Sequence, residues 1–201
     1  MIRILLIRHG TTDLIGRVLY GRMPGVFLNS EGLRQAERLA QALNSHYKIA
    51  EVLSSPLDRA RQTAEPIAAR GGLPIGIDEE ITEIDVGSWM GKTFEELGGR
   101  ADWKAYNRNR SINSAPGGES MMHVQTRAWQ SLERLTQRHS SSTESTVAVV
   151  THGDVIRCIL LLLLGMSIDH IHRIEIAPAS VSEILLGARG PVVYSMNERV
   201  Y

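Results

Sequence analysis

Residues 1–13 read MIRILLIRHGTTD and residues 146–161 read TVAVVTHGDVIRCILL. In each, a run of mostly branched apolar residues leads into a histidine-glycine pair, His9-Gly10 in one and His152-Gly153 in the other. Short runs without polar alternation mark strands buried on both faces, as in a parallel sheet. The carboxyl ends of such strands line the crevice of an open α/β sheet. Both imidazoles are therefore expected at one sheet edge, sharing one pocket.

Outward from these two strands, the chain alternates strand-like and helix-like stretches, the pattern of an α/β layer protein. Further strands are expected over 51–54, 173–177, 180–186 and 192–197. The stretch NSEGLRQAERLAQALNSH predicts a helix capped by Ser30, with Leu33, Ala36, Leu39, Ala40 and Leu43 on its apolar face. In SSPLDRARQTAEPIAAR, Ser55 is the expected cap and Pro56 the first helical residue. Pro66 is a candidate kink. A further helix is expected from about Glu119 to Arg138, and Ser/Thr-rich HSSSTEST joins it to the next strand. The span 71–120 is richer in glycine and less periodic, so it reads as an insertion laid over one face.

With 201 residues, 43% of them hydrophobic and 22% charged, the chain matches one soluble globular domain spanning residues 1–201. Its 22 basic and 22 acidic residues cancel, so a nucleic-acid or anionic-membrane partner is not expected. The longest apolar run, 158–164, falls far short of the roughly 18 residues a membrane span needs. Cys158 is the single cysteine, which excludes an intrachain disulfide and makes a reducing cytoplasm the simplest compartment. No secretion leader is read ahead of the first strand. His170 and His172 form an H-x-H pair without a third ligand in view, so neither a metal nor another cofactor is expected.

Each His-Gly pair combines an imidazole with a backbone that a ligand can approach closely. Arg8 adds a permanent charge on a planar donor fork, and the helix that follows adds positive potential. Such a pocket suits a phosphate. A neutral histidine attacks phosphorus when one ring nitrogen is held by an acceptor and the other is free. A solvated arginine and two polar strand ends are the plainer reading of the same residues.

Four ordered stretches, LIRHGTTD, LSSPLDRARQTAEPIA, ITEIDVGSWMG and VVTHGDVIR, resemble the histidine phosphatase superfamily, also called phosphoglycerate mutase-like. The resemblance implies a three-layer α/β/α sandwich with a mostly parallel central sheet. It makes His9 the nucleophile that is transiently phosphorylated. Arg8, Arg59 and His152 would hold the phosphoryl group, and Glu83 would protonate the leaving oxygen. Helical periodicity alone places Arg59 on the solvent side, and only the motif separates it from Arg61. Likewise, DEEITEID carries five carboxylates, and only the motif spacing selects Glu83. For the first step Glu83 must hold a proton, which predicts a raised pKa or a mildly acidic optimum.

Gly153, Thr11, Arg22 and Glu119 are further candidates for substrate contact. Thr11 stands where the family commonly has Glu or Gln, and Ile15 where an asparagine is frequent. Arg22 lies in a glycine-containing loop, YGRMPGVFLNSEG, and Glu119 in PGGES, expected to line the entrance. Trp89, Trp103 and Tyr106 are expected either at that entrance or as packing anchors. The implied activity is metal-independent hydrolysis of a small phosphate ester, in a monomer or homodimer. The chain is short for the mutases and lacks their long insertion. Mutase-type transfer and a non-catalytic phosphate-binding module are the alternatives, and the natural ester stays open.

Overall fold

A computed structural model describes residues 1–140 and 144–200. Among these, β1 (Ile2–Arg8), β2 (Ile49–Ser54), β3 (Ile75–Ile77), β4 (Ser145–Thr151), β5 (Val181–Gly187) and β6 (Gly190–Glu198) form one sheet. Their order is β3-β2-β4-β1-β5-β6. The first four run parallel, whereas β5 is antiparallel to β1 and β6 to β5. The sheet is mostly parallel, as expected.

Because side chains alternate along a strand, the apolar runs in β1 and β4 supply two cores. Leu5, Ile7, Ala148 and Val150 face α1 (Ser30–His46) and α2 (Asp58–Gly71), meeting Leu39, Leu43, Ala60, Ala64 and Ile67. Ile4, Leu6, Val147 and Val149 face α5 (Met121–Arg138) and α6 (Gly153–Leu163), meeting Val124, Ala128, Leu132, Ile156 and Ile159. Helices on both faces of a sheet make the α/β/α sandwich. Each fully buried Leu or Ile stabilises it by about 1.5–3 kcal/mol.

The segment after β3 packs into the second core. It contains two short 3₁₀ turns (Glu79–Ile81 and Gly87–Trp89), α3 (Phe94–Gly98) and α4 (Ala101–Arg108). Trp89 is fully buried, with the Trp103 and Tyr106 rings edge-on at 5.2 Å each. These aromatics are packing anchors, not entrance residues.

Several local expectations change. Asn29, not Ser30, caps α1, accepting from Gly32 N–H, and Leu33 is exposed. Helix α2 begins at Asp58, beyond Ser55 and Pro56, and runs through Pro66. Helix α5 begins at Met121, capped by Ser120. The expected strand over 173–177 is absent: Arg173 ends a 3₁₀ stretch (Ile168–Arg173). Carbonyls there bind side chains instead of a ladder, Ile174 O accepting from Arg157 and Ile176 O from Arg8. Strand β3 was not anticipated, since three residues with a central glycine carry no periodic signal. Part of the HSSSTEST connector, 141–143, lies outside the described residues. No helix among the described residues is long and apolar enough to cross a membrane.

Candidate active site

Strand register brings the two histidines together. Arg8 pairs with Thr151 across β1 and β4, and His9 N–H donates to Thr151 O at 2.9 Å. One residue further along each strand, the His9 and His152 rings lie 5.3 Å apart, centre to centre, tilted by 60°. His152 is also the N-cap residue of α6. Gly10 is required by packing: a Cβ there would lie 2.8 Å from Gly32 O, at the start of α1. Gly10 N–H in turn donates to Thr63 Oγ1 on α2.

His9 is 1% exposed, and its Nδ1 lies 2.7 Å from Gly10 O. A carbonyl only accepts, so Nδ1 carries the hydrogen and Nε2 is the basic nitrogen. His152 Nε2 pairs with Ser55 Oγ at 2.8 Å, leaving Nδ1 unpartnered and 4.0 Å from Glu83 Oε2.

Arg59, the second residue of α2, is fully buried. Its Nη2 donates to Gly21 O at 2.7 Å, and its guanidinium lies 4.7 Å from the Tyr20 ring centre. Arg8 Nη1 donates to Ile176 O, and its Nε lies against the Cα of Gly153, where a Cβ would approach to 3.3 Å. Arg8 Nε, Arg59 Nε, Arg59 Nη1 and His152 Nδ1 are all buried without a hydrogen-bond partner in the protein. Leaving such a group unsatisfied costs about 1–3 kcal/mol, more for charged groups. An anion with several acceptor oxygens is the ligand that would satisfy them together.

Electrostatics set the protonation states. Burial, reinforced by Arg59 and Arg8, holds the His9 pKa well below its usual value, so the ring is neutral. His152 is lowered by burial, Arg59, His9 and Arg8. His152 is therefore neutral as well, and the positive charge beside it comes from Arg59 and Arg8. Glu83 moves the other way, to about 7, raised by burial and the Asp154 charge against the opposing pull of Arg59. Burial would also raise Asp154, but Arg110 and Arg157 outweigh it and keep Asp154 ionised.

A cleft of about 140 Å³ lies beside this group, lined by Arg8 and Glu83 but not by the fully buried His9, Arg59 and His152. Arg8, Glu83, Gly153, Asp154 and Arg157 form its polar side, and Ile15, Leu19, Val86 and Phe94 belong to its apolar wall. Thr11, Arg22 and Glu119 do not line it. Thr11 donates from both N–H and hydroxyl to Gln35 Oε1, while Arg22 and Glu119 bond to each other at 3.0 Å. His172 Nε2 sits 3.2 Å from Arg110 Nη2 instead of pairing with His170, and among the described residues no cluster of three or more metal-ligating side chains exists.

Sequence reasoning missed Tyr20, Ser55 as the partner of His152, Asp154 and Arg157. Asp154 and Arg157 stand i, i+3 on α6 beside His152, with Arg157 Nη1 donating to Asp154 Oδ1 at 3.0 Å. That spacing was the one available signal.

A model of the histidine phosphatase superfamily, branch 1, matches residues 4–199. Phosphoserine phosphatase 1 of Hydrogenobacter thermophilus is 30% identical over 201 residues, 98% of this chain and 92% of its own. A bifunctional protein of Mycobacterium tuberculosis is 35% identical over 183 residues, 90% of this chain. The chain spans about half the length of that relative, 49%. The structure of a phosphoserine phosphatase of Entamoeba histolytica, solved with phosphoserine, superposes with a TM-score of 0.85 at 28% identity, covering 99% of this chain and 98% of that one. Match and geometry agree that the chain belongs to the histidine phosphatase superfamily, branch 1.

Proposed function

We propose that the chain is one catalytic unit over residues 1–201, a metal-independent phosphomonoesterase that works through a phosphohistidine on His9. The observation that carries this reading is the set of unpartnered buried guanidinium donors on Arg8 and Arg59, with the unpartnered Nδ1 of His152, beside a histidine whose own Nδ1 is locked onto a carbonyl.

In the first step His9 Nε2 forms a bond to phosphorus as the ester P–O bond breaks, and the leaving oxygen takes the Glu83 proton. Arg8 and Arg59 hold the phosphoryl oxygens through charge-assisted hydrogen bonds, and His152 Nδ1 adds a contact. Water then attacks phosphorus as the N–P bond breaks. Ionised Glu83 accepts the proton, and inorganic phosphate departs with the catalyst restored. A pKa near 7 suits a carboxyl that must donate in one step and accept in the next.

The substrate is a small phosphorylated metabolite. A cleft of about 140 Å³ lies below the roughly 300–1,000 Å³ typical of drug-sized ligand sites. The names of the two phosphoserine phosphatases support the same size class without selecting among sugar phosphates, phosphoglycerate derivatives and other small esters. A single buried cysteine, Cys158, fits a cytoplasmic location, and a homodimer is compatible with this reading.

Hydrolysis of p-nitrophenyl phosphate separates the alternatives. Turnover that persists in EDTA and disappears in His9→Ala supports the phosphatase. Exchange between glycerate positions that needs a bisphosphate primer supports a mutase, and binding without turnover supports a non-catalytic module.

A further inference from the structure

Outside the cleft, a polar cluster around the buried Glu119 joins three distant segments. Glu119 accepts from Arg127 Nε at 2.7 Å and Nη2 at 3.0 Å, from Arg22 Nη2 at 3.0 Å, and from Asp85 N–H at 3.4 Å. His123 Nδ1 lies 3.0 Å from the same carboxylate. Burial would raise the Glu119 pKa, but Arg127 and Arg22 hold it below the usual carboxylate range.

The two arginines spend their remaining donors on the backbone of the segment that carries Glu83. Arg22 Nε donates to Glu83 O at 2.7 Å. Arg127 Nη2 donates to Glu83 O at 3.4 Å and Nη1 to Glu80 O at 2.5 Å. Glu119 N–H donates to Asp85 O at 2.8 Å, closing the segment from its other end. The contact is tight: Gly87 has a positive φ of 48°, and a Cβ on it would lie 2.3 Å from Pro116 O in the PGGES loop.

Arg22 also follows directly on Gly21, whose carbonyl accepts from Arg59, and on Tyr20, which lies under the Arg59 guanidinium. One short stretch, 20–22, thus holds the phosphate-binding arginine on one side and the backbone of Glu83 on the other.

We propose that Arg22, Glu119 and Arg127 are positioning residues, a part-buried ionic clamp that fixes the Glu83 carboxyl relative to Arg59, and so aims the proton at the leaving oxygen. All three bond to the backbone of residues 80–85, so the clamp acts on Glu83 through its own segment. The proposal rests on the reading of Glu83 as proton donor.

The test compares kcat/KM, which reports formation of the phosphoenzyme, for an alkyl phosphate that needs a protonated leaving oxygen and for p-nitrophenyl phosphate, whose phenolate departs without one. Arg22→Met is the informative variant because Arg22 is 38% exposed and its loss does not empty the core. Misplacement of a catalytic group by about 1 Å costs on the order of a hundredfold, so the alkyl-to-aryl ratio should fall by about ten- to a hundredfold. Glu119→Gln should move the ratio the same way, with thermal unfolding confirming that it folds. Glu83→Gln serves as reference and should lower the ratio at least as far.

If both substrates lose rate equally in Arg22→Met while the ratio does fall in Glu83→Gln, the clamp is overturned and the role of Glu83 survives. If Glu83→Gln leaves the ratio unchanged, the proton-donor reading fails and the clamp fails with it.

Discussion

A carboxyl held near pKa 7 in the native state must make the fold pH-dependent, and Glu83→Gln isolates that dependence. Glu83 is 14% exposed and titrates near 7 in the folded chain, against about 4.5 for an unperturbed glutamate. Between those values the folded state binds one more proton than the unfolded state. The slope of stability with pH is then negative: this group's contribution is fully present below about pH 4.5 and is lost as pH rises to about 7. At about 1.4 kcal/mol per pH unit, the loss integrates to about 3 kcal/mol. Glutamine does not titrate, so it removes this loss. Urea unfolding in phosphate-free buffer at pH 5 and pH 8 measures it for both proteins. The stability of Glu83→Gln relative to the parent should increase by about 2–3 kcal/mol between the two conditions, and taking this difference of differences cancels the titrating groups that do not interact with Glu83. An unchanged difference, within about 0.5 kcal/mol, would mean that Glu83 titrates as an ordinary surface acid, and the electrostatic part of the mechanism would be wrong.

The same electrostatics govern catalysis. On an alkyl phosphate, kcat/KM should fall about tenfold per pH unit above pH 7, as Glu83 loses its proton. Asp154→Asn removes a charge that raises Glu83, so this alkaline limb should move to lower pH, while a limb that stays in place would clear Asp154 of the role. Arg59→Lys should lose about tenfold or more in kcat/KM even though its charge is kept, because a point charge cannot replace both the Gly21 contact and the two free donors of the fork; parity with the parent would contradict the assignment. Trp89→Ala should destabilise the chain by about 3–5 kcal/mol in denaturant unfolding, since the fully buried indole anchors the segment after β3.

The layers of the fold were legible because the centres of β1 and β4 are buried on both faces and carry a continuous apolar signal over Ile4–Ile7 and Val147–Val150. Signals failed where backbone groups bind side chains. The stretch 173–177 looks like a strand, yet its carbonyls serve Arg8 and Arg157. The pairing of His9 with His152 could be foreseen from the two strand ends, since register follows once both strands lie parallel and adjacent. Arg59 could not be found by periodicity. It leaves the apolar stripe of α2 but is buried by Tyr20 and Gly21, which arrive from a loop 38 residues earlier. Arg22 and Glu119 were read as substrate contacts because charge near a glycine-rich loop suggests a ligand. In the structure that charge is taken up by Arg127, which stands i+3 from Val124 and i−4 from Ser131 at the edge of the buried face of α5.

The central claim is that Nε2 of His9 takes the phosphoryl group. Turnover quenched in alkali, where phosphohistidine survives, followed by peptide mapping in a mass spectrometer, addresses it directly. The expected result is one added phosphoryl group on His9 that forms with substrate and decays as phosphate is released. Phosphate release from the active protein with no phosphoryl group on His9 at any time point, or with the modification on another residue, would contradict the account.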